Sequence, residues 1–305
     1  MANPQTDNEW TIHSINIHGV FFERWCEELI RSTPGLKVVS TNYPVEFPPP
    51  SGPFRGKESA LDIRAELRHE YLIATFIIEC KKNNPDFVNW IFFPKGKAAE
   101  QRQFALPRIS NQIKEDLSQG WNVESQIFRL LLPVTVFSEA RETRSNYQAF
   151  KDGQKTKTSN AAITEAAYQV ALATKAIWTE EANHSQIRAA HNPIPPLDYH
   201  TQLIVPCIVT TAKLYSCSFD PTDVDPNRGE IPLDKAVLQE MPFVVYEYPL
   251  PKHLQSAPAD LVEALSTNNL ELLTQMDIVV INSRYFKDLL NEQNFVEDLL
   301  RIVSQ

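Results

Sequence analysis

The chain has 305 residues, 43% hydrophobic and 22% charged, with a net charge of -9, which is the composition of an ordinary globular protein long enough for one large α/β domain or a domain plus an extension. Its four cysteines, Cys26, Cys80, Cys207 and Cys217, contain no Cys-x-x-Cys pair, which argues against structural zinc and against a disulfide framework and predicts free thiols. No apolar run reaches the roughly 18–20 residues of a membrane span, and the opening Met1-Ala2-Asn3-Pro4-Gln5-Thr6-Asp7 lacks the basic-then-apolar form of a signal peptide, so a soluble, cytoplasmic protein is expected.

From the N-terminus, Gly19-Val20-Phe21-Phe22-Glu23 opens a stretch with Phe22, Trp25, Cys26, Leu29 and Ile30 at helical spacing, and Pro34-Gly35 stops it. This predicts an amphipathic helix. Tyr43 to Pro53, with Phe47-Pro48-Pro49-Pro50-Ser51-Gly52-Pro53, reads as a stiff connector. Leu61 to Leu67 then alternates, while Leu72 to Ile78 is an almost unbroken apolar run that ends in charge. The pair reads as a hairpin whose second strand is buried on both faces, joined by Arg68-His69-Glu70. A turn centred on His69 and Glu70 faces residues whose numbers sum to about 139, so Asp62 lies opposite Ile77 and diagonal to Glu79. Period-two alternation sets Lys81 on the same face. Diagonal neighbours are roughly 7–8 Å apart, close enough for two carboxylates to share one divalent ion. Two acids and an amine at a strand end suggest metal-dependent phosphodiester cleavage.

Further along, Trp90-Ile91-Phe92-Phe93 and Phe128 to Phe137 read as core strands. Phosphate contacts come from Lys and Arg, so the net acidity is adverse for a nucleic-acid enzyme. Residues 79–157 nevertheless hold thirteen Lys or Arg against nine Asp or Glu. This segment ends in a basic, aromatic-bearing loop from Asn146 to Asn160, whose Lys151, Lys155 and Lys157, with Lys82 beside the acids, are the candidate DNA contacts. A helix N-terminus after that loop, with Ser159 or Asn160 near the cap, offers backbone N–H groups as a phosphate seat. His184 and His191 share a helix face but have no Cys or acidic partner and read as surface residues. After a polar linker around Asp220 to Asp234, Phe243 to Tyr248 and Ile278 to Ile281 read as strands, and about 258–274 and 283–303 as helices packed on the same sheet. Gly56-Lys57-Glu58 and Gly96-Lys97-Ala98 lack the rest of a phosphate-binding loop, and no Gly-x-Ser-x-Gly elbow is present, so neither NTP hydrolysis nor serine hydrolysis is supported.

Asp62 followed by Glu79-Cys80-Lys81 at the end of the next strand resembles the motif of the PD-(D/E)XK nuclease superfamily, over roughly residues 15 to 220. The position before Asp62 is Leu61, where the superfamily name has Pro; the metal needs the carboxylate, not the ring. The resemblance implies a restriction-endonuclease-like α/β fold, a mixed central sheet flanked by helices. Residues 1–220 would be the core and 221–305 a C-terminal α/β extension on the same sheet. The amphipathic stretch from Gly19 resembles the first core helix, and Glu23 matches the extra acidic position found there in many members. Leu36 to Ser40 would be the first strand and Ala161 to Glu181 the second helix, with Gln169 where some members put a site-facing polar residue. Leu203 to Thr211 is similar to the returning strand of methylation-dependent restriction enzymes.

What the resemblance implies chemically follows from the residue types. Mg²⁺, with Mn²⁺ as its substitute, would take Asp62, Glu79, the Cys80 backbone carbonyl and a phosphate oxygen, with Glu23 as a further acid. Lys81 would orient the attacking water or stabilise developing negative charge. The expected function is a Mg²⁺-dependent endonuclease acting on DNA, an effector of microbial restriction or antiviral defence working alone, as a homodimer or with a defence-complex partner. A catalytically silent module of the same fold, binding nucleic acid or protein, is the alternative, and RNA is a further candidate substrate.

Overall fold

A computed structural model describes residues 7–17, 19–47, 57–69, 72–83, 88–94, 101–113, 121–143, 158–159, 161–192, 201–255 and 274–291. In chain order the helices are α1 (Asp7–Ile17), α2 (Val20–Ser32), α3 (Ala161–His191) and α4 (Ser283–Asn291). The strands are β1 (Leu36–Phe47), β2 (Lys57–His69), β3 (Leu72–Lys81), β4 (Asn89–Pro94), β5 (Gln101–Ile113), β6 (Trp121–Thr143), β7 (Thr158–Ser159), β8 (Thr201–Thr210), β9 (Lys213–Ser218), β10 (Val237–Met241), β11 (Phe243–Pro249) and β12 (Gln275–Asn282). All twelve strands join one mixed sheet, in the order β1-β2-β3-β8-β12-β11-β6-β4-β9-β10, with β5 against β6 and β8, and β7 against the end of β6. No described helix is long and apolar enough to cross a membrane.

The middle of the sheet is parallel: β8 lies between β3 and β12 and runs in the direction of both. Strands so placed are covered on both faces and read as continuous apolar runs. Alternate residues of β3, β8 and β12 accordingly enter different clusters. Phe76, Ile78, Val205, Cys207, Val279 and Ile281 pack with Cys26 and Ile30 of α2 and Phe286 and Leu289 of α4. On the other face, Ile208, Ile278 and Val280 meet the first half of α3, and Ile77 and Ile204 meet its second half. Thus α2 and α4 cover one face and α3 the other. All four cysteines are buried free thiols.

Several elements depart from the sequence expectation. Residues 43–47 belong to β1, paired with Leu61 through Lys57 of β2, and are not a connector. Proline suits an edge strand, where its missing N–H forfeits no ladder bond; β1 is that edge, and it carries Pro44. The β2–β3 ladder joins Ile63 to Ile78 and His69 to Leu72, a register shifted by two residues from the expected one. His69, read as turn, is still strand. The expected helix at about 258–274 lies outside the described residues.

Two anchors fix α3 across its face of the sheet. Near its start, Ala162 and Ile163 donate their N–H groups to Glu142 Oε1 of β6 at 2.7 and 3.1 Å. Toward its far end, the buried Arg64 of β2 reaches Glu181 at 2.6 Å and Glu66 at 3.7 Å, and the Tyr43 hydroxyl donates to Glu180. The helix therefore meets β3 at a set height.

Candidate functional site

Asp62 sits where β2 and β3 part. The ladder between them ends at Ile63 and Ile78, and one step further the Asp62 side chain takes over, its Oδ2 accepting the Cys80 N–H at 2.7 Å. Residues two apart on a regular strand share a face, yet Leu61 packs in the α3-side cluster and Ile63 in the α2-side cluster. The strand turns over at Asp62, and the carboxylate stands in for a ladder carbonyl. In the observed register this brings Asp62 level with Glu79, one residue pair beyond Ile63 and Ile78, whereas the sequence expectation had them diagonal.

Glu79 is only 5% exposed, and its Oε2 has no hydrogen-bond partner. Burial pushes the Glu79 carboxyl up to about 9, the neighbouring Asp62 charge adds to this, and Lys81 opposes it. Burial also lifts Asp62 to about 6, against the Cys80 N–H, which lowers it, while Glu23 raises it further. Two acids so placed titrate as a pair, and near neutral pH the metal-free pair holds a proton. An orphaned, buried carboxylate oxygen beside a second acid is a position that positive charge would satisfy.

Lys81 follows two residues after Glu79, and its Nζ lies 2.9 Å from Glu165 Oε2 of α3. The sequence reading did not single out Glu165; its place four residues before Gln169, on the same helix face, was the available signal. Ala173, a further turn along, shares a cluster with Ile77 of β3. Gln169 lies on α3 between Glu165 and Ala173, and its Oε1 is likewise buried without a partner. Glu23 stands in the first turn of α2, its carboxyl raised by burial. It lies beside Gly19, whose left-handed backbone (φ 82°) favours glycine, and a Cβ at Gly19 would come 3.6 Å from Glu23 Oε1 and 3.7 Å from Lys82 Cβ. The Glu23 charge acts on both Asp62 and Glu79.

The structure thus brings Asp62, Glu79, Lys81, Cys80 and Glu23 to one end of β3, and α3 reaches it through Glu165, one turn before Gln169. Lys82 turns elsewhere, donating its Nζ to the Asn16 carbonyl of α1. Lys151, Lys155 and Lys157 lie outside the described residues. The expected phosphate seat at the start of α3 is corrected by the structure. Pairing of β7 with the end of β6 sets Glu142 against Ser159, and the Glu142 carboxylate, 3% exposed, already holds the N–H groups of Ala162 and Ile163. An anion there would have to displace a buried acid.

Among the described residues no three His, Cys, Asp or Glu side chains form a group that could hold a metal ion. A hard cation that keeps most of its waters needs fewer protein ligands, and one or two carboxylates with a backbone carbonyl match that demand. No family model, no curated protein and no solved structure matches the chain.

Proposed function

We propose that this α/β protein is a Mg²⁺-dependent endonuclease of DNA with a restriction-endonuclease-like core. The observation that carries the reading is the Asp62–Glu79 pair, two acids driven together in a desolvated place at the strand end that also bears Lys81. Such a pair costs folding free energy unless something positive occupies it. Asp62, Glu79 and the Cys80 carbonyl would hold the ion, with Glu23 at the rim.

A bound Mg²⁺ would supply a water of lowered pKa and neutralise charge on the phosphate. The protein's own parts divide the remaining work. The Asp62 carboxylate is aimed by the Cys80 N–H, which holds one of its oxygens. Lys81, a cation beside the acids, would leave Glu165, which is largely exposed, to orient the attacking water or stabilise charge growing on the phosphate. Gln169 would position either the water or a phosphate oxygen through its amide. Basic residues of the 146–160 loop would meet the DNA backbone, and a defence role, alone or with a partner, fits such an enzyme.

One observation favours a second reading, a catalytically silent module: Lys81 is engaged by Glu165, and among the described residues no third acid joins Asp62 and Glu79 in a group that could hold a metal ion. Incubating the protein with supercoiled plasmid, with Mg²⁺, Mn²⁺ or EDTA, separates the two. The nuclease reading expects nicked or linear product with either ion and none with EDTA; intact plasmid in every arm, with an RNA substrate also left uncut, favours the silent module.

A further inference from the structure

β1 closes the sheet at the edge beside the second half of α3. Between them lies an open groove of about 340 Å³, bounded by Tyr43 to Glu46 on the strand and by α3 from Ala176 to Ile187. A second hollow, of about 460 Å³, reaches Glu58 and shares Pro44, Val45 and Glu46 with the first, so the two adjoin. Among the described residues no Lys or Arg lines either one, and His184 is the one imidazole. Glu180 has one partner among the described residues, the Tyr43 hydroxyl at 3.2 Å, while Arg64 is taken by Glu181 and Glu66. Thr179, which lines the same groove and is 9% exposed, has a buried hydroxyl oxygen without a partner. In the adjoining hollow Glu46 and Glu58 stand directly opposite each other across the β1–β2 ladder, where like charges repel.

We propose that these adjoining grooves bind an aliphatic polyamine, one ammonium at Glu180 and a second at the Glu46–Glu58 pair. A primary ammonium has three N–H donors and no acceptor. Glu180, the Thr179 hydroxyl and the Asn183 side-chain carbonyl, all within one turn of α3 and all lining the groove, are three acceptors for it. Val45, Ala176 and the exposed Ile187 give apolar wall for the methylene chain between the charges. Among the described residues no three His, Cys, Asp or Glu side chains converge. Acids spread along a trough fit a cation of matching length, not a single metal ion. The site is separate from the Asp62–Glu79 pair: at 1.5 Å per residue, Glu180 lies about 22 Å along α3 from Glu165.

Spermidine is the probe, titrated by calorimetry into the full chain without DNA at constant ionic strength, with ethylamine as the one-headed control. Spermidine should saturate a single site and bind at least about tenfold tighter than ethylamine, because the second ammonium then binds intramolecularly. Excess Mg²⁺ at the same ionic strength should leave it in place. Glu180→Gln and Glu58→Gln should each weaken binding by about three- to tenfold, as should Thr179→Val, which keeps the side-chain shape and removes the hydroxyl acceptor. Should Thr179→Val fail to fold, the two Gln variants decide. The absence of saturable heat, ethylamine binding as tightly as spermidine, displacement by Mg²⁺, or unchanged affinity in any folded variant would overturn the proposal. None of these readouts depends on nuclease activity.

Discussion

Replacing Glu79 with Gln removes one acid from the buried pair at nearly constant volume, and the size of the effect follows from its surroundings. In the folded protein the Glu79 carboxyl is raised from 4.5 to about 9. The unfolded chain releases that proton above its own pKa while the folded chain keeps it, so this group's contribution to stability is lost as pH rises from 4.5 through about 9. At pH 7 the gap is about 2.5 pKa units, which converts to about 3 kcal/mol at 1.36 kcal/mol per unit. Relaxation and the proton shared with Asp62 reduce the measurable part to about 1–3 kcal/mol. Gln is neutral at every pH. Without metal, Glu79→Gln should therefore match the wild type near pH 4 and melt higher at pH 7, by on the order of 5 °C at about 2–4 °C per kcal/mol. Mg²⁺ at about 100 times its dissociation constant adds about 2.7 kcal/mol to the wild type alone, which should erase or reverse the order. Calorimetry or dye-monitored melts of both proteins across this pH range, with EDTA and with Mg²⁺, supply the data. Equal melting temperatures at pH 7 in both conditions would refute the reasoning, since a solvated strand end moves by less than about 0.5 kcal/mol and ignores the ion.

Three other outcomes are expected. Mg²⁺ binding at pH 7 should release about one proton per protein, because the ion displaces the proton held by the pair; a pH-stat trace in weak buffer records it, and binding without proton release counts against the pair. Glu142→Ala should cost about 1–2 kcal/mol in urea unfolding, as expected for a lost helix cap, and a change near zero would mean that the N–H groups of Ala162 and Ile163 find water as readily. Replacing Lys151, Lys155 and Lys157 together with Ala should weaken DNA binding and reduce the slope of log K against log salt by about 2.7, at about 0.9 per phosphate contact; an unchanged slope removes the loop from the interface.

Where burial writes itself into a pattern, the sequence was readable. The apolar runs of β3, β8 and β12 mark strands covered on both faces, and Phe22, Cys26, Leu29 and Ile30 mark the inward face of α2. Register was less readable, because His69 has the polarity of a turn residue yet pairs with Leu72. The shift sets Asp62 level with Glu79, and the Cys80 N–H bond to Asp62 depends on a break in alternation that no local signal announces. Glu142 was missed for a different reason: its role comes from the β6–β7 pairing, which returns the chain to the start of α3. α1 escaped notice because its described side chains are exposed from Asn8 to Asn16, leaving no apolar face for periodicity to detect.

The most direct measurement is cleavage of plasmid DNA by the wild type and by Asp62→Ala, Glu79→Ala and Lys81→Ala, each with Mg²⁺ and with EDTA. Metal-dependent cutting by the wild type and its collapse in all three variants, with a double variant no worse than the singles, is the expected result for residues acting as a unit. Metal-dependent cutting that survives in Glu79→Ala would contradict it.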